Sequence, residues 1–113
     1  MPDLTNPVQK QIHDAVQSNA VILFMKGTPD FPQCGFSART VQILSDYGIK
    51  YAAVNVLADA AVREGIKAYS DWPTIPQLYI SGEFIGGCDI VTEMQAKGEL
   101  APLIQAAKAP TAK

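Results

Sequence analysis

The chain has 113 residues, 48% of them hydrophobic and 18% charged, which is enough apolar material for one globular core and too little charge for a disordered polymer. Its net charge of -2, with no block of like charge, argues against a basic nucleic-acid surface, so no nucleic-acid partner is expected. The longest dense apolar run, residues 20–25, is far shorter than the roughly 20 residues of a bilayer span, and no membrane association is expected.

Cys34 and Cys88 are the two cysteines and His13 is the one histidine. A small disulfide scaffold usually carries more cysteines, so free thiols in a reducing compartment are expected. These three side chains also fall short of a four-ligand zinc site, and a bound metal would need ligands from elsewhere. Residues 1–11 are polar and lack the apolar centre of a signal peptide. The expected location is the cytoplasm, or an organelle matrix after removal of a transit peptide.

In chain order, Asn6-Pro7 opens a helix, with Pro7 at the first helical position and Thr5 or Asn6 capping it. Val8, Ile12 and Val16 form its apolar stripe, and His13 beside them reads as a surface histidine. Residues 20–25 read as a continuous buried strand, ended by Gly27-Thr28-Pro29. Cys34 then stands at a helix start, where unpaired N–H groups and the positive dipole end favour thiolate over thiol. Phe36, Thr40, Val41, Leu44 and Tyr47 keep helical spacing until Gly48. Residues 51–56 read as a second strand, and Asp59 caps a helix whose buried stripe is Val62, Ile66 and Tyr69.

Pro73 and Pro76 bracket the stop before a third strand, Gln77–Ile80. Ser81-Gly82 turns it into a returning strand at residues 83–85. After Gly86-Gly87, Asp89 is expected to cap a helix running to Lys97, which Gly98 ends. A last amphipathic stretch holds Leu100, Leu103 and Ile104. A β-α-β unit needs a parallel pair with a right-handed crossover, whereas the hairpin is antiparallel. The expected fold is therefore α/β, a four-stranded mixed sheet with helices on both faces. It forms a single domain over residues 5–108, followed by a flexible tail at 109–113.

Three motif regions lie in order on these elements. The first runs from Lys26-Gly27-Thr28-Pro29 through Pro32-Gln33-Cys34-Gly35-Phe36-Ser37. The second is Trp72-Pro73-Thr74-Ile75-Pro76-Gln77, and the third is Gly86-Gly87-Cys88-Asp89. Together they resemble the monothiol glutaredoxins, the branch of the thioredoxin-like superfamily whose active site reads Cys-Gly-Phe-Ser. The resemblance implies a thioredoxin-like (glutaredoxin) fold, a cis proline at Pro76 and glutathione as the non-covalent partner.

Suitable chemistry is present for each end of glutathione. Lys26 offers a point charge and Arg63 a planar pair of donors to its glycyl carboxylate, although Arg63 alone also reads as a solvated helix charge. The backbone of Ile75 would pair with the cysteinyl unit like a short added strand. Pro76 by itself reads equally as a strand-start proline. The N–H groups of Cys88 and Asp89 would hold the γ-glutamyl carboxylate, and the Asp89 side chain its amine. Cys88 is read as a small buried thiol giving a backbone contact, against a redox partner for Cys34. Phe36 and Trp72 are read as packing residues.

A second cysteine would stand three residues after the first, where this chain has Ser37. The Cys34 thiolate must then react with, or be shared with, something from outside the chain. In one chemistry it ligates a [2Fe–2S] cluster. Such a cluster commonly takes four thiolates, so two chains and two glutathiones would bridge a homodimer. The resemblance implies this arrangement, delivery to apo iron-sulfur proteins and pairing with a BolA-like protein. In the other chemistry Cys34 is the catalytic nucleophile of a glutathione-dependent oxidoreductase, resolved by free glutathione.

Overall fold

Five consecutive apolar residues, Val21–Met25, form strand β1, and all five are buried. A run without polar alternation suits a strand covered on both faces. The computed structural model, which describes residues 3–110, places β1 inside a four-stranded sheet. The remaining elements are α1 (Pro7–Ser18), α2 (Gly35–Asp46), β2 (Ala52–Asn55), α3 (Ala60–Ser70), β3 (Gln77–Ile80), β4 (Glu83–Gly86), α4 (Cys88–Lys97) and α5 (Leu100–Ala107). The strand order is β2-β1-β3-β4, with β1 and β2 parallel and the β1–β3 and β3–β4 pairs antiparallel.

Alternate residues of β1 feed two separate cores, as the period of a strand requires. Val21, Leu23 and Met25 join Leu78 and Ile80 under Val41 and Leu44 of α2, Val91 of α4 and Ile104 of α5. Ile22 and Phe24 join Tyr79 under Ile12 and Val16 of α1 and Ile66 of α3. Three helices thus cover one face and two the other, the expected α/β arrangement.

Several local expectations change. Strand β2 ends at Asn55, and residues Val56–Ala58 form a 3₁₀ turn. The Asn55 side chain explains this, because its Oδ1 accepts the N–H of Leu57 at 3.0 Å and of Gly27 at 2.9 Å. Asn6 is the cap of α1, its Oδ1 accepting the N–H groups of Val8 and Gln9. Asp59 caps α3 as expected. Asp89 does not cap α4: Gly87 holds that position, and Asp89 lies in the first turn. His13 is half-buried, because α1 packs on α3 and brings its Nδ1 within 2.8 Å of the Tyr69 hydroxyl. In the tail, Ala109 packs on the core and the Pro110 carbonyl accepts the Lys50 N–H at 2.7 Å. Residues 111–113, also expected to be flexible, lie outside the described residues.

Candidate functional site

The loop after β1 delivers Cys34 to the start of α2. Its N–H donors close a tight return: Gln33 to the Lys26 carbonyl at 2.9 Å, and Phe31 to the Thr28 carbonyl at 3.1 Å. Gly27 makes the return possible, with φ of 91° and no room for a side chain, since a Cβ would stand 2.5 Å from the Phe31 oxygen. Cys34 is then the N-cap of α2, in extended conformation and half-buried. Its thiol is held below the ordinary value, mainly by the backbone N–H of Ser37. Partial burial opposes this, while the Phe36 N–H, the Lys26 charge and the Ser37 hydroxyl assist it.

Ser37 is wholly buried, and its Oγ accepts the Lys26 N–H at 3.1 Å. The residue at the second-cysteine position is therefore a tie between the end of β1 and α2, as well as a support for the thiolate.

Cys34 opens onto a cleft of about 470 Å³, of a size that suits a small peptide-like ligand. Lys26, Cys34, Arg63, Ile75, Cys88 and Asp89, which come from separate parts of the sequence, all line it. Arg63 projects from α3 with its Nε buried and without a hydrogen-bond partner among the described residues. A buried N–H of a permanent cation without an acceptor is costly, so this donor calls for an anionic ligand. Ile75 is buried among the side chains of the α1–α3 core, yet it borders the cleft. The Ile75–Pro76 peptide is cis. Across from it, a Cβ on Gly87 would meet the Pro76 carbonyl oxygen at 3.2 Å, so the two walls approach closely.

Other residues of the cleft carried no role in the sequence. Lys67 lies there, one helical turn beyond Arg63, and that i,i+4 spacing was the available signal. With Lys26 and Arg63 it gives the cleft three cations against the Asp89 carboxylate. Phe36 and Trp72 are not packed away: they are 62% and 40% exposed and line the cleft. The helical spacing of Phe36 suggested a buried stripe, but its place in the first turn of α2 puts it at the rim. Cys88 is half-buried rather than enclosed, and both cysteines are free thiols. No group of three or more metal-ligating side chains occurs among the described residues.

A mixed four-stranded sheet with a thiol at a helix N-terminus and a cis proline opposite it defines a thioredoxin-like protein of the one-cysteine type. The glutaredoxin family profile matches residues 21–85. Mitochondrial monothiol glutaredoxin-5 of Saccharomyces cerevisiae is 55% identical over 109 residues, covering 94% of this chain and 73% of the yeast protein. The solution structure of reduced apo GrxS14 from poplar has 48% identity and a TM-score of 0.79, covering 93% of this chain and 97% of the poplar chain. A buckwheat glutaredoxin solved as a glutathione complex shares the fold, with a TM-score of 0.82 at 24% identity over 93% of this chain and 94% of its own. The chain belongs to the glutaredoxin family, in its monothiol branch.

Proposed function

We propose that this protein binds glutathione and carries a [2Fe–2S] cluster for delivery to apo iron-sulfur proteins. The observation that carries the proposal is the thiolate-favouring Cys34 at the start of α2, with no cysteine at position 37, in the same cleft as the unpartnered Nε of Arg63. One supplies a single sulfur ligand, and the other is a donor suited to an anionic group, so a ligand joining a carboxylate to a thiol would serve both. Glutathione has both.

In this reading Arg63 and Lys26 bind the glycyl carboxylate, and the Ile75 backbone aligns the cysteinyl unit beside Cys34. The first-turn N–H groups of Cys88 and Asp89 receive the γ-glutamyl carboxylate, and the Asp89 carboxylate its amine. The cargo needs four thiolates in all. Two copies of Cys34 and two glutathione thiols complete that set in a symmetric homodimer. Ligands held partly by an exchangeable small molecule suit delivery better than permanent redox service. A BolA-like protein is the proposed heteropartner. No helix among the described residues is long and apolar enough to cross a membrane. Similarity to mitochondrial and bacterial monothiol glutaredoxins supports an organelle matrix or a bacterial cytoplasm as the carrier's place.

Anaerobic reconstitution with iron, sulfide and glutathione tests this. It should give a coloured dimer with about one cluster per two chains, and omission of glutathione should abolish it. A Cys34→Ser variant that assembled the same cluster would sink the proposal. The depressed thiol also favours a second reading, as an oxidoreductase. Cys34 thiolate would attack the glutathione sulfur of a mixed disulfide and release the protein thiolate. A second glutathione would then reduce the Cys34–glutathione bond and leave as glutathione disulfide. Deglutathionylation by the apo monomer above the buffer rate would establish that activity.

A further inference from the structure

We infer that Gln77 is a positioning residue for this cleft: its buried carboxamide clamps residues 72–74, the segment that forms the wall facing Cys88 and Asp89. The inference rests on reading the cleft as the glutathione site. Gln77 opens β3 and is 0% exposed, in a strand whose other residues are Leu78, Tyr79 and Ile80. A carboxamide fully removed from water is costly unless its donors and acceptor are met. Here one segment takes the donors, and a neighbour on the same strand serves the acceptor. The Nε2 of Gln77 donates to the carbonyl oxygens of Trp72 and Thr74, each at 3.1 Å. Its Oε1 accepts the hydroxyl of Tyr79 at 3.1 Å, from two residues along the same strand face.

This wiring has one orientation. Turned over, the amide would set its oxygen against two carbonyl oxygens and its NH₂ against a hydroxyl that otherwise donates to it. The two carbonyl oxygens, which can only accept, thus fix the amide in the sense that clamps the loop, and the Tyr79 hydroxyl completes it by donating to Oε1. The Trp72 N–H is fixed independently, by the Ser70 Oγ at 3.2 Å and the Lys67 carbonyl at 3.2 Å. Both backbone polar groups of Trp72 are tied while its side chain remains at the cleft. The fit is tight enough for small shifts to matter. A Cβ on Gly87 would lie 3.2 Å from the Pro76 oxygen, 3.8 Å from the Trp72 indole nitrogen and 4.0 Å from the Thr74 hydroxyl. An apolar residue of the same length would fill the volume of Gln77 and release the loop.

Trp72 is the only tryptophan in the chain, so its fluorescence reports this wall directly. The apo protein is titrated with glutathione by calorimetry, and its emission is recorded with and without ligand. Gln77→Met keeps the length and removes both donors. It should weaken glutathione binding about tenfold, the effect of losing one to two hydrogen bonds, and shift Trp72 emission to the red. Tyr79→Phe keeps the ring and removes only the hydroxyl that satisfies the Gln77 Oε1, with about threefold weaker binding expected. Ile80→Val, in the opposite core, loosens the fold without touching the wall and should change neither readout.

Binding by Gln77→Met within twofold of the unmodified protein, with unshifted emission, overturns the proposal. If that variant does not fold, Tyr79→Phe decides by the same two readouts. If the unmodified protein binds no glutathione, the ligand reading fails. The ligand-free Trp72 emission and the exchange of its hydrogen-bonded N–H then decide the clamp alone: a red shift and faster exchange in Gln77→Met support it, and unchanged values overturn it.

Discussion

A wholly buried hydroxyl three residues after Cys34 accepts the Lys26 N–H and also faces the thiol. Removing it in Ser37→Ala should have two separable effects. The Lys26 N–H loses its acceptor, which costs about 1 kcal/mol in urea unfolding. The Cys34 thiol rises towards its ordinary value but stays below it, because the Ser37 backbone N–H, its main support, remains. The pH midpoint of iodoacetamide alkylation should therefore move upward in the variant. The sign of the stability linkage follows: a lowered thiol pKa stabilises the folded state fully above the unfolded thiol pKa, and this is lost as pH falls through the folded value. At this scale the sequence was informative about which residues form the cleft and poor about their exposure. Arg63 was readable as a solvated charge or a ligand-binding group, and only the packed structure shows its Nε buried and unpartnered.

Helix α3 carries Arg63 and Lys67, and what holds it in place is its contact with α1. Gly65 lies at that contact, where an added Cβ would stand 2.7 Å from Cγ1 of Val8 and 3.1 Å from Cδ1 of Ile12. Glycine normally costs a helix about 1 kcal/mol relative to alanine, so Gly65→Ala should stabilise on propensity alone. Here overpacking should win, at about 1–3 kcal/mol, because the β-branched Val8 has few rotamers into which it can retreat. We expect net destabilisation by denaturant unfolding, and recovery in the double variant Val8→Ala/Gly65→Ala. The element order was legible because runs and periods are local. Element ends were less so: the side chain of Asn55 ended β2, and Gly87 rather than Asp89 took the cap of α4.

The molecule as a whole carries a net charge of -2, yet Lys26, Arg63 and Lys67 gather at one cleft. Long-range steering of an anionic peptide is therefore weak, and its capture depends on charges within a few ångströms. Added salt should still weaken glutathione binding several-fold between 50 and 500 mM, where the Debye length falls from about 14 Å to about 4 Å. Arg63→Leu should lose affinity and flatten that salt dependence, both measured by calorimetry. A salt-independent affinity would argue that the carboxylates bind elsewhere.

Periodicity, breaker residues and the three motif regions determined the α/β order, the mixed sheet and the thiol at a helix start, because each is expressed in residues close along the chain. Tertiary structure decided what depends on neighbours far apart in sequence. It exposed Phe36 and Trp72 at the cleft, buried Ser37 against Lys26 and left the Arg63 Nε without an acceptor. The physical reason is that burial and hydrogen-bond satisfaction belong to the packed state, and no local pattern records which group finds a partner there.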